Sequence, residues 1–228
     1  MLSVTEAQIY LAYKRGITID NICRSFHTFN SGKYQDETRY AQGNLIICND
    51  DTLKPNSKVV CKAETNMDVI IIPIVGGIEI KNSKANRQLT IAGQATILPV
   101  SGGDHYYIKN PLAKEMVNFL QIGIARTRMS MENSKRVSFN LDSQKNELLA
   151  LSDNCYIGKF EGREEGSFTV RNTGSGVFAF VIEGAFEFEN RLIESRDGIV
   201  IWNKPVHKKL SIAFEALSND AIILVVEI

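Results

Sequence analysis

Histidine is scarce in this chain. Only His27, His105 and His207 occur among 228 residues, and long stretches separate them. A three-histidine metal site would need three distant segments to converge. The four cysteines, Cys23, Cys48, Cys61 and Cys155, form no C-x-x-C pair and match no zinc spacing. The expectation is reduced, mostly buried thiols in a cytoplasmic protein. An excess of charge of one sign is also missing: 26 Lys and Arg balance 26 Asp and Glu. No global field therefore favours nucleic acid or an acidic membrane surface. No apolar run approaches the roughly 20 residues needed to cross a bilayer. The opening "MLSVTEAQIYLAYKRG" lacks a basic segment followed by an apolar core, so no secretory signal is expected.

What is present is strand after strand. Apolar content of 44% and charged content of 23% suit an ordinary globular protein. A short helix is expected at the N-terminus, capped by Ser3 or Thr5, with Ile9, Tyr10 and Tyr13 on one face before Gly16. From there, "GNLIICND", "VVCKAE", "DVIIIPIV", "GIEIKNS", "QLTIAG", "QATILPV", "HYYIKN" and "EMVNFLQIGIA" read as short strands. Turn residues recur about every ten positions, which points to an all-β sandwich or barrel. Pro73 inside "IIIPIV" places its missing N–H at an edge or a bulge. Around 126–150 the alternation fades and Ser and Asn content rises, which predicts a connection between domains with a helical turn near "QKNELLAL". Strands then resume to the end. "NDD" (49–51) and "GREEGS" read as solvated turns, "VSGGDHYY" as a turn, Cys155 as an exposed residue, and "KPVHKK" as a solvated basic loop. Trp202, after the apolar strand "GIVIW", reads as core packing.

The second half echoes the first. "IVGGIEI" (74–80) matches "IEGAFEF" (182–188) in its apolar positions, its turn glycine and its glutamate. "LTIAGQATI" corresponds to "LIESRDGIV", and His105 before "YYIKN" to His207 before "KKLSI". A repeat of about a hundred residues means two copies of one β domain. The expected domains are 1–130 and 131–228.

Strand, glycine turn, strand, then "AG" or "DG" and another strand resembles the cupin jelly roll, and two copies make a bicupin. "IYLAYKRG", "RSFHTFNSGKY", "GNLIICNDDTLKP" and "NMDVIIIPIVGGIEIKNS" resemble pirin and the pirin-like quercetin dioxygenases, as do "VIEGAFEFENRLIESRDGIVIW" and "NDAIILVVEI". The resemblance covers nearly the whole chain. It implies a single metal in the N-terminal barrel, iron or another divalent ion. Two histidines at i and i+2 on one strand, and a histidine and a glutamate at i and i+2 on a later strand, would hold it. Alternation puts i and i+2 on one face, and imidazole with carboxylate suits a ferrous ion that keeps an open position.

Carried over, those four positions fall on Lys62, Glu64, Tyr106 and Ile108. A charged ammonium has no lone pair and an isoleucine cannot ligate. No metal or other cofactor is therefore expected. His105 adjoins Tyr106 and is expected on the opposite face. His27 reads as a packed or backbone-bonded histidine, and His207, with Lys209 at i+2, as a surface residue. Two readings of the pocket stand open. In one, Lys62 replaces the metal's charge inside the barrel, partnered by Glu64 and the Tyr106 hydroxyl, and attracts an anionic or phenolic molecule. In the other, these residues line a rim and reach to water.

Three functions compete, and the balance leans away from an enzyme. The first is a non-catalytic small-molecule-binding or regulatory bicupin that has lost the metal. The second is the quercetin 2,3-dioxygenase-like activity the resemblance implies. The third is metal-independent chemistry, with Lys62 as base and Tyr106 as acid. Expected partners are a small organic or anionic ligand in the N-terminal barrel, with no nucleic acid and no membrane. Exposed sheet edges leave both a monomer and a homodimer open.

Overall fold

The computed structural model describes residues 6–82, 87–127, 133–171, 175–202 and 211–228. In chain order the strands are β1 (Glu6–Tyr10), β2 (Gly16–Ile19), β3 (Cys23–His27), β4 (Leu45–Leu53), β5 (Lys58–Lys62), β6 (Met67–Val75), β7 (Gly77–Asn82), β8 (Gln88–Ile91), β9 (Gln94–Val100), β10 (His105–Lys109) and β11 (Val117–Ala125). They continue as β12 (Lys135–Ser138), β13 (Glu147–Ala150), β14 (Cys155–Phe160), β15 (Glu165–Thr169), β16 (Gly176–Glu183), β17 (Ala185–Phe188), β18 (Arg191–Glu194), β19 (Gly198–Trp202), β20 (Ser211–Ala216) and β21 (Ala221–Glu227). The all-β bicupin expected from the sequence is what the strands build.

The chain divides into two compact units. One is Arg15–Phe139; the other joins the residues up to Lys14 to Asn140–Ile228. The division thus falls at 139/140 rather than 130/131, and the N-terminal segment goes with the second unit. The first unit has a seven-stranded sheet in the order β12-β9-β6-β11-β4-β3-β2 and a four-stranded sheet β5-β10-β7-β8. The second has a six-stranded sheet β1-β19-β16-β21-β14-β13 and a four-stranded sheet β15-β20-β17-β18. Adding ten to each strand label from β3 to β11 converts the first pairing scheme into the second.

The repeat extends to local detail. Gly76 and Gly184, which the sequence match aligns, both take φ +80°, a conformation that disfavours a side chain. A Cβ on Gly76 would lie 2.9 Å from Val117 Cγ1, and one on Gly184 would lie 2.3 Å from Ser218 Oγ. The ladder of β6 with β11 skips one residue between Val75 and Pro73, and that of β16 with β21 skips one between Glu183 and Val181. Pro73 therefore sits at a bulge, beyond the Met67–Ile71 stretch that pairs with β9, where no ladder needs its N–H.

The expected N-terminal helix is a strand instead. Glu6–Tyr10 pairs antiparallel with β19, Glu6 opposite Trp202 and Tyr10 opposite Gly198. Tyr10 is buried while Ile9 and Tyr13 are exposed, so the apolar residues share no helical face. Only a 3-10 turn at Ala12–Lys14 remains, and the Ala12 N–H donates to Asp197 Oδ1 at 2.6 Å. Tertiary pairing outweighs the weak local preference. Near "QKNELLAL", one turn closes where the Gln144 N–H donates to the Asn140 carbonyl, and Glu147–Ala150 then joins the sheet.

Each unit has its own core. The first packs residues such as Val69, Ile71, Ile78, Ile80, Leu98 and Phe119 between its sheets. The second is aromatic: Phe160, Phe186, Phe188 and Phe214 stand 5.2 to 6.1 Å apart between ring centres. Burying each such ring stabilises the fold by about 1.5–3 kcal/mol.

Candidate functional site

The first unit holds a partly open cavity of about 610 Å³, the size of a small-molecule site. Strand alternation decides what lines it. On β3, Cys23, Ser25 and His27 share a face. Ser25 lies opposite Asp51 of β4 and His27 opposite Asn49. On the other side of β4, Asp51 faces Phe119 and Asn49 faces Gln121 of β11. From the second sheet, Cys61 of β5 lies opposite Tyr106 of β10, and Val59 opposite Ile108. The Gln121 amide donates to the Tyr106 hydroxyl at 2.7 Å and joins the two sheets across the interior.

This geometry favours the rim reading: Lys62, Glu64 and Tyr106 all line the cavity, the first two at its exposed edge. The inward residues of β5 are Val59 and Cys61, followed by the fully buried Ala63. Lys62 and Glu64 have the opposite parity. Their side chains are 53% and 81% exposed, and they form a surface ion pair of 3.6 Å at the cavity's rim. An internal Lys62 replacing a metal's charge is therefore excluded, and with it Lys62 as a buried base. The physical reason is the two-residue period: a one-residue shift of register exchanges the faces. Tyr106 and Ile108 do point inward and are buried, while His105 is exposed on the other face as expected.

His27 is buried against the cavity, held by side chains rather than backbone. Its Nδ1 lies 2.9 Å from Asn49 Oδ1, its Nε2 lies 2.9 Å from Thr18 Oγ1, and its ring stacks on Tyr34. Burial pushes its pKa below the usual imidazole value. "NDD" is no solvated turn: Asn49, Asp50 and Asp51 form the buried middle of β4. Cys155 is buried, not exposed. His207 and "KPVHKK" lie outside the described residues.

Sequence reasoning named Tyr106 but missed the carboxyl and thiol groups with the most perturbed chemistry. Burial raises the Asp51 carboxyl to about 7; the Ser25 hydrogen bond opposes the shift and the charge of Asp50 adds to it. Burial likewise raises the Cys61 thiol to about 12 and the Cys23 thiol to about 11, with Asp51 contributing to both. The Tyr106 phenol is raised for the same reason. The two thiols and the phenol are neutral at physiological pH, so neither thiol is a nucleophile there. The missed signal was the apolar frame of "LIICNDDTL", which reads as one continuous strand with Asn49 and Asp51 on the face of Ile47.

The family's metal does not fit this interior. At the four positions that align with the ligands stand Lys62, Glu64, Tyr106 and Ile108, where two imidazoles, a third imidazole and a carboxylate would be required; Lys62 and Glu64 are exposed, and Tyr106 and Ile108 are buried. Among the described residues, no three His, Cys, Asp or Glu side chains are grouped to hold an ion.

Comparison with known proteins agrees with the architecture. Residues 149–228 match the family described as the quercetinase C-terminal cupin domain. Quercetin 2,3-dioxygenase of Escherichia coli K12 is 22% identical over 95% of this chain and 97% of its own length. Among solved structures, the E. coli pirin YhhW in complex with nickel(II) superposes with a TM-score of 0.79 at 20% identity, covering 97% of this chain and 98% of that one. Quercetin 2,3-dioxygenase of Acinetobacter baumannii gives 0.70 at 12% identity, over 99% of this chain and 87% of that one. Two jelly rolls related by an internal repeat define a bicupin. The chain is similar to pirin-like quercetinases over nearly its whole length, and the match to the family itself covers residues 149–228.

Proposed function

We propose that this bicupin binds a small organic molecule in its N-terminal barrel and has given up its family's metal-dependent oxygen chemistry. One observation carries the reading: the four positions aligned with the ligands hold a lysine, a lone glutamate, a phenol and a hydrocarbon, yet the barrel keeps a cavity instead of filling it. A structural barrel would close over apolar side chains, because unfilled volume and buried polar groups both lower stability. Four free cysteines support a cytoplasmic location. No described helix is long and apolar enough to cross a membrane.

The names of the relatives favour a second reading, oxygen-dependent opening of a flavonol. Aerobic incubation of the purified protein with quercetin, with and without added nickel, iron or manganese, separates the two. The expected result is no metal-dependent loss of quercetin, and an organic molecule released from the protein and seen by mass spectrometry after gentle purification. Turnover of quercetin that depends on added metal would establish the dioxygenase reading instead.

A further inference from the structure

The cavity's unmet hydrogen-bonding capacity states what its occupant must bring. Asp51 is 5% exposed and lies on the lining face of β4. Its Oδ1 is buried without a hydrogen-bond partner. Leaving such an atom unsatisfied costs about 1–3 kcal/mol. Several other polar groups of the lining are matched, and Lys33 and Lys62 bring two ammonium groups to it. His27 engages Asn49 and Thr18, Asn49 Nδ2 donates to Ser31 Oγ, and Tyr106 accepts from Gln121.

No cation compensates Asp51. The groups around it are Cys23, Ser25 and His27 on β3, Cys61 on β5, Tyr106 on β10, and Phe119 and Gln121 on β11. Arg15 lies 3.3 Å from Asp50, which has the opposite parity on β4. Lys62 is at the rim with Glu64. Among the described residues no ion pair includes Asp51.

Resting on the reading that this cavity binds a small molecule, we infer that its ligand is a neutral or cationic organic compound. An apolar body would lie against Ile47, Val59 and Met67, and an amine or amide N–H would meet Asp51. An anion placed against Asp51 is disfavoured: it would approach a carboxyl group that no ion pair among the described residues offsets, since Lys62 is paired with Glu64 at the rim and Lys33 is exposed. This reverses the ligand charge that an internal Lys62 would have implied.

Three probes share one phenol ring and differ only in the head group: tyramine, 3-(4-hydroxyphenyl)propanamide and 3-(4-hydroxyphenyl)propanoate. Their dissociation constants at neutral pH are measured by NMR titration of the full chain, of Asp51→Asn, and of Ile47→Trp, which blocks the cavity. The amine and the amide are expected to bind about tenfold or more tightly than the carboxylate. Asp51→Asn should remove the amine's advantage and leave the amide within a few-fold, and Ile47→Trp should weaken both. Equal or tighter binding of the carboxylate, or an Asp51→Asn protein with an unchanged ranking, overturns the inference while leaving the cavity reading intact. Binding of none of the three, or binding indifferent to Ile47→Trp, removes both. Should Asp51→Asn not fold, the wild-type ranking decides alone.

Discussion

The two barrels are built on one pairing scheme, and their interiors differ residue by residue. Equivalent ladder positions set Asp51 and Phe119 against Gly158 and Ile223, and Asn49 and Gln121 against Tyr156 and Val225. On the facing sheet, Cys61 and Tyr106 correspond to Phe168 and Ile212, and Val59 and Ile108 to Gly166 and Phe214. The second barrel makes room for a ring at Gly166, where a Cβ would lie 2.3 Å from Phe214, and fills its centre with phenylalanine. The same topology thus closes over hydrocarbon without difficulty. Polar side chains in the first barrel are not a requirement of the fold, and their burial lowers stability unless something binds there.

Breaking the filled barrel gives the largest expected effect. Phe214→Ala removes a ring that touches Phe160, Phe186 and Phe188, and should destabilise the protein by about 3–5 kcal/mol in urea unfolding. A loss below about 1 kcal/mol would mean that the second core is not packed as described.

The next effect belongs to Asp51. Its folded-state pKa, about 7, lies above the ordinary value of 3.8. Between those values the folded protein holds a proton that the unfolded chain has released. The resulting stability is therefore complete below about pH 4, declines as pH rises, and is gone above about pH 7. Thermal unfolding across pH 4 to 8 should show this decline, worth a few kcal/mol in all. Asp51→Asn should flatten it and raise stability at pH 8 by about 1–3 kcal/mol. Stability that instead rises from pH 4 to 7, and does so only when Asp51 is present, would contradict the assignment.

A smaller effect tests the polar link across the first barrel. Gln121→Val introduces the residue that stands at the same place in the second barrel and breaks the bond to Tyr106. A double-mutant cycle with Tyr106→Phe should give a coupling of about 1 kcal/mol. Coupling near zero would mean that the two sheets are not joined there. The smallest effect is expected of Lys62→Ala. Its ion pair is exposed, so stability should change by less than about 1 kcal/mol and probe binding by less than about twofold. A large loss in either would return Lys62 to the interior.

Much of this architecture was legible in the chain. The repeat of "IVGGIEI" in "IEGAFEF" anticipated two domains and two turn glycines with the same φ, and Pro73 marked its bulge. The N-terminal strand was not legible, because its partner Gly198–Trp202 lies nearly two hundred residues away and pairing outweighs propensity. The parity of β5 was legible but overridden. In "KVVCKAE" the sequence alternates Val59, Cys61 and Ala63 with Val60, Lys62 and Glu64, and that alternation alone separates inside from outside. Asp51 was obscured because two adjacent carboxylates after an asparagine look like a turn, although the apolar residues on both sides continue the strand.

The central claim, that the first barrel offers a binding cavity with no metal centre, is tested most directly by anomalous diffraction from crystals soaked in nickel(II). The account predicts no anomalous peak among Cys61, Tyr106 and Ile108 and no ordered coordination at Asp51 or His27. A fully occupied nickel ion bound at those side chains would contradict it.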